Sequence, residues 1–393
     1  MPHKLTPTFQ TYSWGDDSFI QSLCSLEDME GTPVAEMWLG AHPKAPSLVD
    51  CARQQIALDS YISQNPASIL GKAAETYNDT LPFLLKVLAA KKPLSIQVHP
   101  DKSAAEAGFA LENSLGIALD DPKRCFKDAN HKPELLCALT NFTALCGFRA
   151  FADIVSNIQA FHLEHIWKEF QAFSLSPNSA TLKAFFQGIM TSDESKLHDA
   201  IDKIIHFKPH TDNSLAELQS VCLNLIDNYR YDAGVIAPLL LNLIELKAFD
   251  AIYIEAGILH AYLNGAGLEL MANSDNVIRG GLSPKFIDID KLLALSSFQP
   301  HQVNWVSPIK QDNYKNSYKT PAKEFSLSII ELEGYYQLYS DNKPQIILCL
   351  HGTFNCGGEL VLSMGDAAFI DAAESSVVLN GKALLAVATL PSS

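Results

Sequence analysis

Two ligand-capable side chains, Gln97 and His99, stand two residues apart in the run Leu94-Ser95-Ile96-Gln97-Val98-His99. The run alternates apolar and polar residues, as a half-buried strand does. Alternate side chains of a strand share a face, so Gln97 and His99 point the same way. Glu134 closes the stretch His131-Lys132-Pro133-Glu134, and His260 sits in Gly257-Ile258-Leu259-His260-Ala261-Tyr262-Leu263-Asn264. Each fragment alone is weak, because a lone strand histidine is usually an ordinary core or surface residue. Together they offer two imidazoles, one carboxylate and one amide oxygen. That set leaves a bound Zn²⁺ with a site charge of about +1 and room for a further ligand, the pattern of a catalytic zinc. With one anionic ligand, the ion stays a good Lewis acid towards a hydroxyl or carbonyl.

Other histidine pairs compete poorly. His162 and His165 are helix-spaced but fall in a separate helical region. His206 and His210 are four apart, yet Pro209 breaks the helix they would need.

The elements that must position these residues follow from periodicity. Residues 1 to about 150 alternate short apolar strands with Gly/Pro turns, with a helix expected from Leu81 to Ala90 on the spacing of Leu84, Leu85 and Leu88. From Phe151 to Tyr231, apolar residues recur at helical intervals, as in Phe151, Ile154, Val155, Ile158 and Phe161. This predicts an insert of four or five helices. Asn178, Ser192-Asp193 and Asp212-Asn213-Ser214 mark turns or N-caps between them.

Strand character returns at Ala251. Short strands are expected at 325–332, 345–350, 358–362, 367–370, 375–379 and 384–388, with turns at Gly357-Gly358, Met364-Gly365-Asp366 and Asn380-Gly381. Such regular short strands point to a sandwich or barrel. The polar stretch Gln311 to Pro321 reads as a link between two halves.

Composition narrows the function. The chain has 393 residues, 47% of them hydrophobic and 19% charged, which fits a folded protein of two or three domains rather than a disordered one. Its net charge of −15 disfavours nucleic-acid binding, so any phosphate site must be a local basic pocket. The eight cysteines form no C-x-x-C pair and read as reduced core thiols of a cytoplasmic protein. No signal peptide is legible, and the longest apolar run, near Val235 to Ile244, is too short to span a bilayer. A monomer without membrane or nucleic-acid partners is expected.

Several longer segments carry a family resemblance. They are Pro93 to Lys102 (PLSIQVHPDK), Asn130 to Glu134 (NHKPE), His260 to Gly265 (HAYLNG) and Leu268 to Ile289 (LELMANSDNVIRGGLSPKFIDI). Tyr12-Ser13-Trp14-Gly15 and Ala35 to Lys44 (AEMWLGAHPK) add to them. The chain resembles the type I mannose-6-phosphate isomerases of the cupin superfamily over nearly its whole length. Its departures are small: Gly280 stands where Ala is common, and Ser283 where Thr is common.

The resemblance implies a mainly β fold. Residues 1–150 and 232–310 would form a cupin-like jelly-roll catalytic barrel, 151–231 a helical insert, and 311–393 a cupin-like C-terminal β-domain without metal. It implies one zinc per chain on Gln97, His99, Glu134 and His260, and interconversion of mannose 6-phosphate and fructose 6-phosphate. Such a reaction moves a proton between C1 and C2 through an enediolate and serves mannose catabolism or GDP-mannose supply. Arg279 is the implied catalytic arginine. Glu269 and Lys132 are the candidate bases, and the sequence does not choose between them. Lys285, Ser95 and Lys102 are expected to bind phosphate, Asp275 to orient Arg279, and Tyr262 to line the sugar pocket.

Two other classes compete. A non-catalytic sugar-binding or regulatory cupin would keep the pocket without needing acid–base groups. An iron cupin oxygenase would use two histidines and one carboxylate with several open positions, which fits Gln97 and the basic residues less well.

Overall fold

The structure is a computed structural model and describes residues 1–29, 31–51, 54–208 and 213–391. Two large antiparallel sheets dominate it. One runs through the strands Glu36–Gly40, Phe83–Ala90, His260–Ala272, Glu134–Ala138 and Ala251–Ile254. The other is built on Ser326–Tyr339, Ser376–Thr389, Gln345–Cys356 and Ala367–Ile370. The N-terminal strands His3–Thr6, Leu48–Cys51 and Gln54–Ala57 extend this second sheet.

The sheets pack through one apolar core. Phe83, Leu85, Val87, Leu268 and Leu270 of the first meet Leu327, Ile346, Leu348, Phe369 and Ala386 of the second. The alternate residues of the first sheet, Glu36, Trp38, Lys86, Glu269 and Met271, line a cavity on its other face. Strand alternation thus sends apolar side chains into the inter-sheet core and leaves the polar set for the cavity.

Segment 83–90 is a strand and not the expected helix. All eight residues are buried, because the core covers one face and the cavity wall the other. A doubly buried strand loses its two-residue period and cannot be told from a buried helix by pattern alone.

Two further expectations are corrected. Asn380-Gly381 is no turn but the middle of the long strand Ser376–Thr389. Gly381 pairs with Gly334 on one side and Phe354 on the other, and a Cβ there would lie 2.5 Å from the Thr353 carbonyl oxygen. The glycine serves close strand approach. The stretch from Gln311 to Pro321 contains the strand Lys315–Tyr318, paired with Leu327 to Ile330, and so belongs to the second sheet.

The insert contains the helices Phe151–Ala160, Lys168–Leu175, Ser179–Met190, Glu194–His206 and Asn213–Tyr229. Phe161, Phe170, Phe173, Phe185 and Trp167 fill its core. Asn178 caps the third helix through a reciprocal capping box with Thr181, and Asp193 caps the fourth. Such caps contribute about 1 kcal/mol each. The expected cap at Asp212 and the ligand candidate His210 lie outside the described residues. No helix among the described residues is long and apolar enough to cross a membrane.

Leu85 and Leu88 project to opposite faces of the strand Phe83–Ala90, and both are buried. Leu85→Ala and Leu88→Ala should each cost about 2–5 kcal/mol. Denaturant unfolding checks this, and a loss below about 0.5 kcal/mol for either variant would contradict burial on both faces.

Candidate metal centre and active site

His99, Glu134 and His260 form the one group of three potential ligands found among the described residues, with ligand atoms all within 4.8 Å of one another. All three side chains are buried. The register explains their meeting. His260 pairs directly with Gln97, Gln97 also pairs with Arg279, and Glu134 pairs with Met271 of the His260 strand.

His260 and Glu269 are nine residues apart, and on an unbroken strand they would face opposite sides. A register shift between Tyr262 and Asn264 reverses the alternation. Gly265, at φ 115°, follows it. As a result His260 and Tyr262 before the bulge, which meet Glu134, lie on the same side of the strand as Glu269 and Met271 after it, which line the cavity.

Each histidine is oriented by backbone. The Nδ1 atom of His99 lies 2.7 Å from the Asn276 carbonyl oxygen, and that of His260 lies 2.9 Å from the Ile258 carbonyl oxygen. A carbonyl only accepts, so both Nδ1 atoms carry the proton and both Nε2 atoms present a lone pair. Those Nε2 atoms are buried and make no hydrogen bond. They lie 3.1 and 3.5 Å from the two Glu134 oxygens. Two unused buried lone pairs beside a carboxylate fit a divalent cation such as zinc.

Burial and neighbouring charge keep His99 and Glu134 deprotonated. Burial, with Lys132 nearby, pushes His99 down to about 4. Burial alone would raise the Glu134 carboxyl, but Lys132, His99 and His260 outweigh it and hold that group well below the ordinary carboxylate range. Lys132 Nζ is 2.9 Å from Glu134 Oε1, and the Tyr262 hydroxyl donates to Glu134 Oε2 at 3.1 Å.

The cluster adjoins a cavity of about 1030 Å³. Gln97, Ser95, Lys132, Glu269, Asp275, Arg279 and Lys285 all line it. Arg279 has no carboxylate within ion-pair distance among the described residues, and burial lowers its pKa. Lys285 is lowered too, first by burial and then by Arg279 and Lys44. These cations reach the cavity without internal neutralisation, as an anion site requires.

Three residues stand differently from expectation. Lys102 does not line the cavity; its amine bonds the Ala129 carbonyl and Asn130 Oδ1, each at 2.9 Å. Tyr262 is fully buried and supports Glu134 rather than lining the cavity. Asp275 pairs with Lys44 at 2.8 Å and His42 at 3.4 Å, not with Arg279.

Sequence reasoning missed the Lys86 network. Lys86 lies opposite both Glu269 and Trp38 in the register. Its amine is 2.8 Å from Glu269, 3.7 Å from Glu36 and 5.3 Å from the Trp38 ring centroid. Burial would lower the Lys86 pKa, but Glu269 and Glu36 more than offset it and raise it. A lysine in a stretch read as apolar helix was the available signal.

Asn276 was also overlooked. Fully buried, its side chain accepts from the backbone N–H of Lys127 and donates to the carbonyls of Asp128 and Asn130. It thereby ties the segment that leads to Glu134 to the carbonyl that orients His99.

Comparison with known proteins agrees with this geometry. The profile of the type I phosphomannose isomerase catalytic domain matches residues 3–151. The chain is 36% identical over 389 residues to the mannose-6-phosphate isomerase of Escherichia coli (strain K12), covering 98% of each. It is 31% identical over 409 residues to that of Homo sapiens, covering 94% of this chain and 93% of the other. A solved variant of phosphomannose isomerase from Salmonella typhimurium is similar with a TM-score of 0.92 and 34% identity, over 100% of both chains. A zinc-bound mannose 6-phosphate isomerase gives 0.91 and 35%, again over 100% of both. With such similarity along nearly its full length, the chain belongs to the type I phosphomannose isomerase family.

Proposed function

We propose that this chain interconverts mannose 6-phosphate and fructose 6-phosphate, using one zinc ion held by Gln97, His99, Glu134 and His260. The observation that supports this most is the pair of buried, unpartnered Nε2 lone pairs beside Glu134. Gln97 joins the set because it is the direct strand partner of His260 and lines the cavity. The ion would supply Lewis acidity towards a sugar oxygen.

The chain's own residues would do the rest. Moving a proton between C1 and C2 needs a base that reaches the cavity. Glu269 suits this better than Lys132. Burial raises its carboxyl, bringing it nearer neutrality, where general bases work best. Lys86 holds the carboxylate at 2.8 Å. Lys132 is drawn onto Glu134 instead and helps fix that carboxylate. Arg279, opposite Gln97 in the register, would stabilise charge on the enediolate. Lys285 and Ser95 would bind the phosphate.

In this reading the catalytic part comprises residues 1–150 and 232–310, with 151–231 as an insert and 311–393 as a supporting β-domain. The reaction would serve mannose catabolism or GDP-mannose supply in the cytoplasm. A non-catalytic sugar binder would leave the buried Lys86–Glu269 pair in the cavity without a task.

Removing metal with a chelator should abolish the conversion in a coupled assay, and zinc should restore it. His260→Ala and Glu134→Gln should each lower the zinc content of the purified protein. Full zinc occupancy in both variants, by elemental analysis, would count against the ligand set.

Glu269→Gln and Arg279→Ala should each keep zinc yet lose on the order of 10²-fold or more in kcat. A Glu269→Gln variant within a few-fold of the parent would transfer the base role to Lys132. The base must be ionised, so activity falls as pH drops through the raised Glu269 pKa. The acid limb should therefore lie above 4.5, the ordinary value for this carboxyl. A limb below that value would contradict the assignment.

A further inference from the structure

The helical insert returns to the catalytic part through Asn228 to Asp232, and this segment lines the active-site cavity. The Tyr229 hydroxyl donates to the Pro93 carbonyl, which anchors the end of the insert's last helix beside the segment that leads to Gln97. Arg230 then takes a left-handed backbone, at φ 52°, and turns the chain.

Asp232 follows at the turn. One carboxylate oxygen accepts from the backbone N–H of Gly234 at 2.7 Å, capping the short helix Ala233–Leu239. The same oxygen accepts from Leu282 N–H at 2.8 Å, and the other oxygen takes Ser283 N–H at 3.3 Å. A helix cap accounts for the first bond only. The other two cross 50 residues of sequence to the loop between Arg279 and Lys285.

That loop needs external support. Gly281 has φ 125°, and Leu282, a non-glycine residue, sits in the left-handed region at φ 54°. Such a conformation persists only where the surroundings over-determine it. Ile96 fixes one side: its carbonyl accepts from Gly280 N–H, and its own N–H donates to the Gly281 carbonyl. Asp232 and Gly234 fix the other. The contact is so close that a Cβ on Gly281 would lie 2.8 Å from Gly234 Cα, and a Cβ on Gly234 would lie 2.9 Å from Leu282 N.

We infer that Asp232 is a positioning residue for substrate phosphate: it clamps the 280–283 loop so that Ser283 and Lys285 face the cavity in one fixed arrangement. The junction where the insert returns to the catalytic part is thereby tied to the substrate site. The inference rests on the sugar-phosphate reading given above. A carboxylate so near an anion site is tolerated because its charge is taken up by three backbone N–H groups.

The test uses the full chain with zinc bound. Steady-state kinetics with mannose 6-phosphate are paired with calorimetric binding of inorganic phosphate, which needs no turnover. Asp232→Ala and Asp232→Asn should raise KM on the order of tenfold and weaken phosphate binding by a similar factor, with kcat changed less than about threefold. Zinc content should equal that of the parent. Gly234→Ala, which pushes on Leu282 from the same side as Asp232, should give the same signature.

Unchanged KM and phosphate affinity in these variants would overturn the clamp, and so would a fall in kcat accompanied by zinc loss. A parent chain that binds phosphate but does not convert mannose 6-phosphate would sink the functional reading instead. The clamp would then stand or fall on the phosphate data.

Discussion

Two hydrogen bonds to backbone carbonyls govern the site. By taking the Nδ1 protons of His99 and His260, the carbonyls of Asn276 and Ile258 fix both tautomers. Both Nε2 lone pairs then face Glu134 in a buried space. Without that constraint an imidazole could present either nitrogen, and the geometry would not be specific for metal. The rest of the molecule can be read as what holds those two carbonyls and Glu134 in place. Asn276 ties its own segment to the one that leads to Glu134, and the bulge before Gly265 puts His260 and Glu269 on the same side of a single strand.

The charge pattern follows from the same design. On the proposed function, a protein of net charge −15 must still receive an anion. Around the cavity its inner cations are paired with buried carboxylates and its outer ones are not. Lys86 and Lys132 are matched to Glu269 and Glu134. Arg279 and Lys285 have no such partner among the described residues, and burial lowers the pKa of both. The inner pairs can handle protons and hold ligands, while the outer cations can hold phosphate.

Much of this was legible in the sequence, for identifiable reasons. The candidate ligands His99, Glu134 and His260 were visible because ligand chemistry restricts residue type, although only Gln97–Val98 of the run expected as a strand forms one. The insert's helices were visible because each has one wet face. The strand Phe83–Ala90 was hidden because both its faces are buried, and Lys86 was hidden with it. Alternation gives the face of Tyr262 but not its partner, and its buried hydroxyl is taken up by Glu134. Lys102 was misjudged because a loop carbonyl and Asn130 already occupy its amine. The partners of Asp275 lie far away in sequence, at His42 and Lys44, where no local pattern could reveal them.

The proposed chemistry depends on where a metal binds. Its most direct test is a crystal structure of the zinc-loaded chain, with anomalous data collected at the zinc edge. One strong peak is expected, bonded to His99 Nε2, His260 Nε2, a Glu134 oxygen and the Gln97 amide oxygen, each at about 2.0–2.2 Å. A peak at any other group of side chains, or none in crystals of active protein, would contradict it.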